Sequence, residues 1–423
     1  MRTRLQATLL ALLLIIGGVL GTEARAQAGD ESVCRVIVAS DLHYISPAIC
    51  DFGAYFTHMM DNSDSKLTQY CVELTETFLD EVIAQKPAAL LLTGDLSFNG
   101  ARESHADLAE RLRRVEAAGI PVLVLTGNHD VYNRNAARFE GDSFTRLTPC
   151  TSEDFLNVYA DFGPDEALSA DADSLSYLCA LDENTWALMF DFNTAHDFCG
   201  VSEATLRWTE EQLRRAEGEE KLVIAAGHQN LFVHSAFVYG YVIDRAQQLS
   251  TLLWEYRVPL FLSGHLHIQH GKTEEGLTEI TTSALSVFPC QYGIVTAERG
   301  RIHYETKRVD VPAWAAAHGL SESLLANFPT YAEQVMDMRT GRETEGELTA
   351  LGYSAEERAE MLAYARTLNK AYFSGNLTEA ASWDPDGHVS ALWASTGTLR
   401  DYYMRTVIPD FGHDYTRWDW EYD

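Results

Sequence analysis

A repeated alternation of short apolar runs with amphipathic helical patterns is the feature that most limits how this chain can fold. Residues 36–39 form an apolar run that is rich in β-branched side chains and bounded by polar ones, which predicts a buried strand. A helical pattern and a second apolar run follow, and the order then repeats, over residues 36–39, 66–85, 88–92, 103–118 and 121–125. This order of elements predicts a largely parallel sheet with crossover helices.

The same pattern continues toward residue 310. Two apolar runs separated by Asp182-Glu183-Asn184 predict a hairpin over residues 175–181 and 186–192. Further helices are predicted at 203–216 and 245–256, and further strands at 222–226, 260–262, 279–282, 293–296 and 301–308. Together these segments predict one α/β domain.

The N-terminus has the pattern of a secretory signal peptide. Arg2 and Arg4 precede an apolar run over residues 9–20, and Ala26-Gln27-Ala28 offers a cleavage site between small residues. The apolar run is short for a bilayer span, and an uncleaved N-terminal anchor is the alternative. We therefore expect export to the periplasm or the extracellular space, with no stable membrane anchor after cleavage.

The composition changes near Val311 and Pro312, beyond which the chain is rich in Ala, Glu and aromatic residues at helical spacing. Ser354 and Glu357 have the spacing of a capping box, which marks the start of a helix. The predicted organisation is thus a signal peptide at 1–28, an α/β domain at 29–310 and a helical accessory domain at 311–423.

The charge balance excludes some classes of partner. The chain has 32 Lys and Arg against 62 Asp and Glu, a net charge of −30 at pH 7. Binding to a phosphate backbone or to an anionic membrane needs a basic surface, so we expect no nucleic-acid-binding platform. The 7 cysteines are an odd number, so at least one has no intramolecular partner. Cys50 and Cys71 flank a long insertion, and a disulfide between them is a further hypothesis.

Five short polar clusters each follow a predicted strand directly. They are Asp41-Leu42-His43, Gly94-Asp95, Gly127-Asn128-His129-Asp130, Gly227-His228 and Gly264-His265-Leu266-His267. Because ligands of open α/β sheets bind beyond the carboxyl ends of the strands, all five clusters are expected at one rim.

The residue types in these clusters predict a metal site. A mixed set of oxygen and nitrogen ligands suits Mn, Fe or Zn, and suits neither a thiolate site nor an all-oxygen calcium cage. Seven ligands are too many for one ion and fit two divalent or trivalent ions that share a bridging carboxylate. The predicted ligands are Asp41, His43, Asp95, Asn128, His228, His265 and His267.

The ordered blocks D-x-H, GD, GNHD, H and GHxH resemble the calcineurin-like metallophosphoesterase superfamily. The resemblance covers about residues 34–310 and is nearest to the branch that contains bacterial class III cyclic-nucleotide phosphodiesterases, a likeness carried by the stretch 94–100. It implies an α/β (α+β) fold, a four-layer sandwich of two mixed β-sheets flanked by helices. The helical accessory domain would follow this catalytic domain.

The resemblance also implies a role for each residue. Asp41, His43 and His267 would bind the first metal, Asp95 would bridge, and the second metal would be completed by Asn128, His228 and His265. His129 would protonate the leaving group, and Asp130 would orient a neighbour rather than react.

One position departs from the superfamily pattern. Many members carry an Asp three or four residues after the GD aspartate, where it helps to position the catalytic histidine. Here Phe98 and Asn99 occupy those positions. Asn99 is counted with His129 and Asp130 among the candidate catalytic residues: it can still form hydrogen bonds but cannot stabilise an imidazolium as a carboxylate does. Metal binding is unaffected by this difference, whereas acid catalysis by His129 is expected to be weaker.

The sequence therefore predicts an exported phosphoesterase with two metal ions. Its small substrate would be a phosphodiester, either a cyclic nucleotide or another organophosphate, attacked in line by a hydroxide that bridges the metals. The alternatives are a phosphomonoesterase and a non-catalytic binding protein on the same scaffold. The sequence leaves oligomeric state open.

Overall fold

Two mixed β-sheets and the helices on their outer faces make up most of the computed structural model, which describes residues 33–61, 65–193, 199–378 and 386–422. The predicted signal peptide, residues 1–28, lies outside the described residues. In chain order the strands are β1 (Cys34–Ala39), β2 (Ala89–Leu92), β3 (Val122–Val124), β4 (Ala137–Glu140), β5 (Ser143–Arg146), β6 (Ser169–Ala170), β7 (Tyr177–Ala180), β8 (Thr185–Met189), β9 (Leu222–Ala226), β10 (Leu260–Ser263), β11 (His270–Glu274), β12 (Leu277–Thr281), β13 (Gln291–Glu298), β14 (Arg301–Arg308) and β15 (Arg417–Glu421).

The helices in chain order are α1 (Ala54–Asp61), α2 (Cys71–Gln85), α3 (Arg102–Ala117), α4 (Ser152–Tyr159), α5 (Glu203–Gly218), α6 (Ala246–Glu255), α7 (Val311–Ala317), α8 (Ser323–Ala326), α9 (Phe328–Ala350), α10 (Ala355–Ser374), α11 (His388–Thr396) and α12 (Leu399–Val407). The predicted helix over 66–85 begins later, at Cys71, because residues Thr68–Tyr70 form a 3₁₀ turn. The capping box that the sequence predicts at Ser354 and Glu357 is present at the start of α10.

The strand order of the first sheet is β15-β14-β13-β1-β2-β3. Its half from β1 to β3 is parallel, and its half from β13 to β15 is antiparallel. The second sheet has the order β11-β12-β10-β9-β8-β7-β6, with a parallel centre from β12 to β8. Both sheets are therefore mixed, as predicted, and β4 pairs with β5 in a separate hairpin.

The layering follows from alternation along the strands. Val36 and Val38 of β1 belong to a buried cluster with Met189 and Leu262 of the second sheet. Ile37, between them, belongs to a different cluster that contains apolar residues of α2 and α3. Because successive side chains of a strand point to opposite faces, the order is helix, sheet, sheet, helix. The predicted four-layer sandwich is confirmed.

The C-terminal region is helical, as predicted, but the chain then returns to the first sheet. Strand β15 pairs antiparallel with β14, from Glu305 opposite Arg417 to Arg301 opposite Glu421. The sequence analysis did not predict this strand, although Trp418 and Trp420 alternate there with charged residues. The predicted boundary between residues 310 and 311 stays a prediction.

The predicted disulfide can be compared with the cysteines that the structure describes. Cys50 and Cys71 are both free thiols, so the hypothesis of a disulfide between them is wrong. Both are buried and packed in the same apolar cluster, where a thiol behaves as a small hydrophobic group.

Among the described helices, none combines the length with the apolar character that crossing a bilayer requires.

Candidate metal centre

The five polar clusters follow β1, β2, β3, β9 and β10, and loops from the two sheets meet at one rim. Asp41 N–H donates to the carbonyl of Gly94 at 3.1 Å, which joins the loops after β1 and β2. The Nδ1 atom of His228, after β9, lies 2.8 Å from the carbonyl of Thr93 and so joins the second sheet to the first. The expectation that the clusters converge is therefore correct.

Sharp backbone turns aim the side chains of these loops. Five of the predicted ligands have left-handed φ values, at 56° for Asp41, 43° for His43, 48° for Asp95, 70° for His265 and 61° for His267. A non-glycine residue in this region costs about 1–3 kcal/mol and persists only where the surroundings enforce it. Such strain is typical of functional sites, where it positions side chains.

The glycines of the motifs allow the loops to approach closely. A Cβ atom on Gly127 would overlap the backbone nitrogen and the Oδ1 atom of Asp95. A Cβ atom on Gly264 would overlap Oγ of Ser40 and lie 2.7 Å from Oδ2 of Asp41. The absence of a side chain at these two positions is thus what lets neighbouring loops bring their carboxylates together.

A first group of ligand atoms consists of Asp41, His43 and His267. The Nε2 atoms of the two histidines lie 3.2 Å apart, and Oδ1 of Asp41 lies 3.7 Å from Nε2 of His43 and 3.4 Å from that of His267. Asp41 is held in place by the N–H of His265, which donates to its other oxygen, Oδ2, at 3.0 Å. These are the residues predicted for the first metal.

Asp95 lies between this group and a second one. Its Oδ2 atom is 3.8 Å from Nε2 of His43 and 3.4 Å from Nε2 of His228. Oδ1 of Asn128 lies 3.2 Å from Nε2 of His228, and the His265 ring packs edge-on against the His228 ring at 5.0 Å. The position of Asp95 is the one expected of a bridging carboxylate.

The electrostatics favour a cation at this point. Burial opposes ionisation of Asp95, but His228, His129 and His43 hold its pKa well below the usual range. Burial favours neutral His228, yet Asp95 and Asp41 raise its pKa to about 9. The two carboxylates therefore create a negative potential that attracts positive charge.

Two other imidazoles are kept neutral, which is the state that binds metals. Burial, with the nearby charge of Lys66, holds the pKa of His43 well below its usual range. Burial and the charge of His228 lower the pKa of His265 to about 3. A further observation concerns Asp41: its Oδ1 atom is buried and has no hydrogen-bond partner in the described part of the chain. A buried oxygen with unused lone pairs, facing two imidazole nitrogens, fits a metal ligand.

The predicted catalytic histidine, His129, lies beside the predicted ligands and forms a further group of possible ligand atoms with His43 and Asp95. Nε2 of His129 is 3.9 Å from Oδ2 of Asp95, and its Nδ1 lies 2.7 Å from the carbonyl oxygen of Phe98. Because a carbonyl only accepts, Nδ1 carries the proton and Nε2 faces the ligand groups. The carbonyl of Phe98 thus orients the His129 ring.

Asp130 and Asn99 each form hydrogen bonds with the backbone of neighbouring loops. Asp130 is fully buried and accepts hydrogen bonds from the N–H groups of Leu96, Ser97 and Gly127 at 3.1, 2.8 and 2.8 Å. It therefore connects the loops after β2 and β3, in agreement with an orienting role. The Asn99 amide donates to carbonyl oxygens at positions 135 and 137, at 3.3 and 3.2 Å, and its described contacts include no hydrogen bond to His129.

Sequence reasoning missed two buried charged groups near the site. Lys66 was assigned only to a helix, yet its side chain is buried and its charge acts on His43. Glu279 was assigned only to a strand, yet it is fully buried beneath two ligand loops. Lysine is scarce in this chain, but Lys66 follows five polar residues, so its sequence context gives no sign of burial.

Glu279 joins the loop after His228 to the strand before His265. Its carboxylate accepts from the N–H of Phe232 at 2.7 Å, from that of Leu231 at 3.1 Å and from Oγ of Ser263 at 2.7 Å. Nδ2 of Asn230 at 3.2 Å and Nε2 of His234 at 3.2 Å complete its surroundings. Two loops that carry ligands for the predicted second metal are therefore fixed by one carboxylate.

Comparisons with known proteins agree with this geometry. Residues 34–269, more than half of the chain, match the family model of calcineurin-like phosphoesterases, and the chain belongs to this family. The site and the family together define a metal-dependent phosphoesterase. Residues 310–413 match the model of the C-terminal domain of cyclic nucleotide phosphodiesterase, which confirms the branch that the sequence predicts.

Solved structures with a similar fold include three proteins of low sequence identity. A dimetal phosphatase from Danio rerio is 12% identical over 64% of this chain and 95% of its own, with a TM-score of 0.48. GAP50, the anchor in the inner membrane complex of Plasmodium, is 10% identical over 66% and 85%, with a TM-score of 0.38. A predicted phosphoesterase from Streptococcus pneumoniae is 16% identical over 66% and 91%, with a TM-score of 0.29. No curated protein matches the chain.

Proposed function

We propose that this protein is an exported phosphodiesterase that uses two metal ions, of Mn, Fe or Zn. The observation that carries the proposal is the position of Asp95, whose Oδ2 atom is within 3.8 Å of His43 Nε2 and 3.4 Å of His228 Nε2. A carboxylate so placed between two groups of neutral and anionic ligands suits a pair of ions. Bound there, the ions would activate water and neutralise charge on the phosphoryl oxygens.

The residues of the chain would divide the remaining work. Asp41, His43 and His267 would hold one ion, Asn128, His228 and His265 the other, and Asp95 both. In the reaction, a bond forms between the oxygen of water and phosphorus, and the bond from phosphorus to the leaving oxygen breaks. In its doubly protonated form, His129 would keep the Nδ1 proton that it donates to the carbonyl of Phe98 and give a second proton, on Nε2, to that leaving oxygen, a contribution of roughly 10²–10⁴-fold. The proton that the attacking water loses would pass to solvent.

A diester is favoured over a monoester by the C-terminal region. Residues 310–413 resemble the C-terminal domain of cyclic nucleotide phosphodiesterase, which is a diester hydrolase by name. The net charge of −30 supports a small substrate and speaks against a long polyanion. The Arg-flanked apolar run at the N-terminus supports export, so the substrate would be a phosphodiester met outside the cytoplasm.

The proposal can be tested with metal-stripped protein. Addition of Mn, Fe or Zn should restore hydrolysis of bis-p-nitrophenyl phosphate and of cyclic nucleotides, with slower release from p-nitrophenyl phosphate. Asp95→Asn should lose both bound metal and turnover, whereas His129→Ala should keep its metal and lose roughly 10²–10⁴-fold in kcat. Asp142→Asn, at an exposed turn, is the matched control and should change neither.

Two results would contradict the proposal. If no ester were hydrolysed with any metal, the protein would not be a phosphoesterase, and the alternative of a non-catalytic binding protein on the same scaffold would be supported. If p-nitrophenyl phosphate were turned over faster than bis-p-nitrophenyl phosphate and the cyclic nucleotides, the protein would be a phosphomonoesterase rather than a phosphodiesterase.

A further inference from the structure

A small aromatic hollow is lined in part by the ring of His129. Its volume is about 220 Å³. Helix α1, the loop after β2 and the β4–β5 hairpin contribute its lining, which consists of Tyr55, Met59, Phe98, Asn99, His129, Asn133, Asn135, Ala137, Phe139, Phe144 and Arg146. None of the seven predicted metal ligands lines this hollow.

The walls of the hollow are flat aromatic rings in mutual contact. The Tyr55 ring lies 6.2 Å from Phe139, nearly parallel to it, and 5.3 Å from Phe144. Phe98 contacts Phe139 edge-on at 6.4 Å, and the guanidinium of Arg146 lies 5.0 Å from the centroid of Phe144. Rings held by one another in this way present pre-formed surfaces on which another ring can stack.

Asn99 holds one wall in place and leaves an acceptor unused. Both groups near its amide are carbonyl oxygens, those of Asn135 and Ala137, so the atom that faces them is the donor Nδ2. The other amide atom, Oδ1, is buried without a hydrogen-bond partner among the described residues. Asn99, which the sequence analysis placed among the catalytic residues, is on these contacts a positioning residue for the wall.

The position of the hollow relative to His129 identifies what it would hold. Nε2 of His129 faces the ligand groups, 3.9 Å from Oδ2 of Asp95, while the same ring lines the hollow. An oxygen that receives the proton from Nε2 lies between the ligand groups and His129. An organic group attached to that oxygen would lie next to the imidazole ring and therefore beside the hollow.

We infer that the hollow beside His129 binds an aromatic ring carried by the leaving group of the phosphodiester. This inference rests on the proposed function and narrows its substrate class. Drug-sized ligands occupy pockets of roughly 300–1,000 Å³, so a hollow of this volume accepts a single ring system. Aryl groups and nucleobases are the chemical class that stacks on such walls.

Two colorimetric substrates locate the ring on the leaving side. Bis-p-nitrophenyl phosphate and ethyl p-nitrophenyl phosphate both release p-nitrophenol, but only the first retains a second aryl group. Phe144→Ala should lower kcat/KM by about 2- to 10-fold for both substrates, mainly through KM, because ring stacking contributes this much. Tyr55→Ala, on helix α1, should also lower kcat/KM for both substrates. A loss in this variant would show that the effect is not confined to the β4–β5 hairpin that carries Phe144.

The control is Trp254→Ala on helix α6, which removes an aromatic ring of similar exposure, 46% against 40% for Phe144. It should leave kcat/KM for both substrates unchanged, and metal content and thermal unfolding should match wild type in all three variants.

Each other outcome overturns the inference. A loss restricted to bis-p-nitrophenyl phosphate would mean that the hollow binds the retained ester group. Unchanged kcat/KM in both variants would mean that the hollow takes no part in binding. Wild-type protein that hydrolyses neither substrate, nor any cyclic nucleotide, with any of the metals would instead refute the proposed function itself.

Discussion

Glu279 offers a sharp test of how the metal loops are held. Replacing it with glutamine keeps the shape of the side chain and removes its charge, while the new amide group cannot accept through its nitrogen. The carboxylate accepts from the N–H groups of Leu231 and Phe232 and from Ser263 Oγ, so at least one buried donor loses its partner. Each loss of this kind costs about 1–3 kcal/mol.

The full effect should be larger, because the charge of the carboxylate is lost for every group that it accepts from, and the contact with His234 Nε2 at 3.2 Å changes as well. Hydrogen bonds to a charged group contribute about 1.5–3 kcal/mol each. We therefore expect Glu279→Gln to lower the free energy of unfolding by about 3–5 kcal/mol at pH 7. Because the same carboxylate fixes the loops that carry His228 and His265, metal affinity should fall roughly 10- to 100-fold.

The effect should depend on pH in a defined direction. Burial opposes ionisation of Glu279, but His234, Ser263 and the N–H of Phe232 lower its pKa below 4.5. A lowered pKa stabilises the folded state above the unfolded value and loses that stabilisation as the pH falls through the folded value. The difference between wild type and Glu279→Gln should therefore be constant near neutrality and shrink below about pH 4.5.

Urea titrations followed by tryptophan fluorescence measure the stability, and competition with a chelating dye measures the metal affinity. Glu274→Gln, on the neighbouring strand β11 and 47% exposed, is the matched control and should stay within about 0.5 kcal/mol of wild type. A Glu279→Gln variant as stable as this control at pH 7, with wild-type metal affinity, would refute the reasoning.

Two further predictions concern Gly264 and the N-terminus. Gly264→Ala should cost about 1–3 kcal/mol of unfolding free energy and weaken metal binding, since the new Cβ overlaps Ser40 Oγ and presses on Asp41 Oδ2; metal titration that matches wild type would contradict this. Cleavage after Ala28 predicts a mature protein that begins at Gly29 in the exported fraction, and mass spectrometry that finds the intact N-terminus there would support the uncleaved anchor instead.

The convergence of the candidate metal ligands could be predicted from the sequence, because each follows a strand within a short motif. Asp41 and His43 are separated by one residue, as are His265 and His267. Strand ends that share one rim bring such local pairs together without any further information. The parallel core strands could be predicted for a related reason, since burial on both faces leaves continuous apolar runs.

The supporting residues could not be predicted because their partners are distant in the sequence. Glu279 contacts residues 230–232, and Lys66 acts on His43 across a long insertion. Neither has a local pattern that distinguishes it from a solvated charge. Phe98 is a different case, since its contribution to His129 comes from the main chain, whose chemistry no side chain reveals.

Strand β15 determines how the helical region can be separated from the α/β domain. Because the chain leaves the first sheet after β14 and re-enters it at β15, the helices form an insertion that is tied to the sheet at both ends. A protein shortened at residue 310 would lose the outermost strand together with the helices. The N–H and C=O groups of β14 between Arg301 and Glu305 would then form an open edge, and unpaired edges promote association between chains. Separating the two regions genetically therefore requires joining β14 to β15 by a new turn.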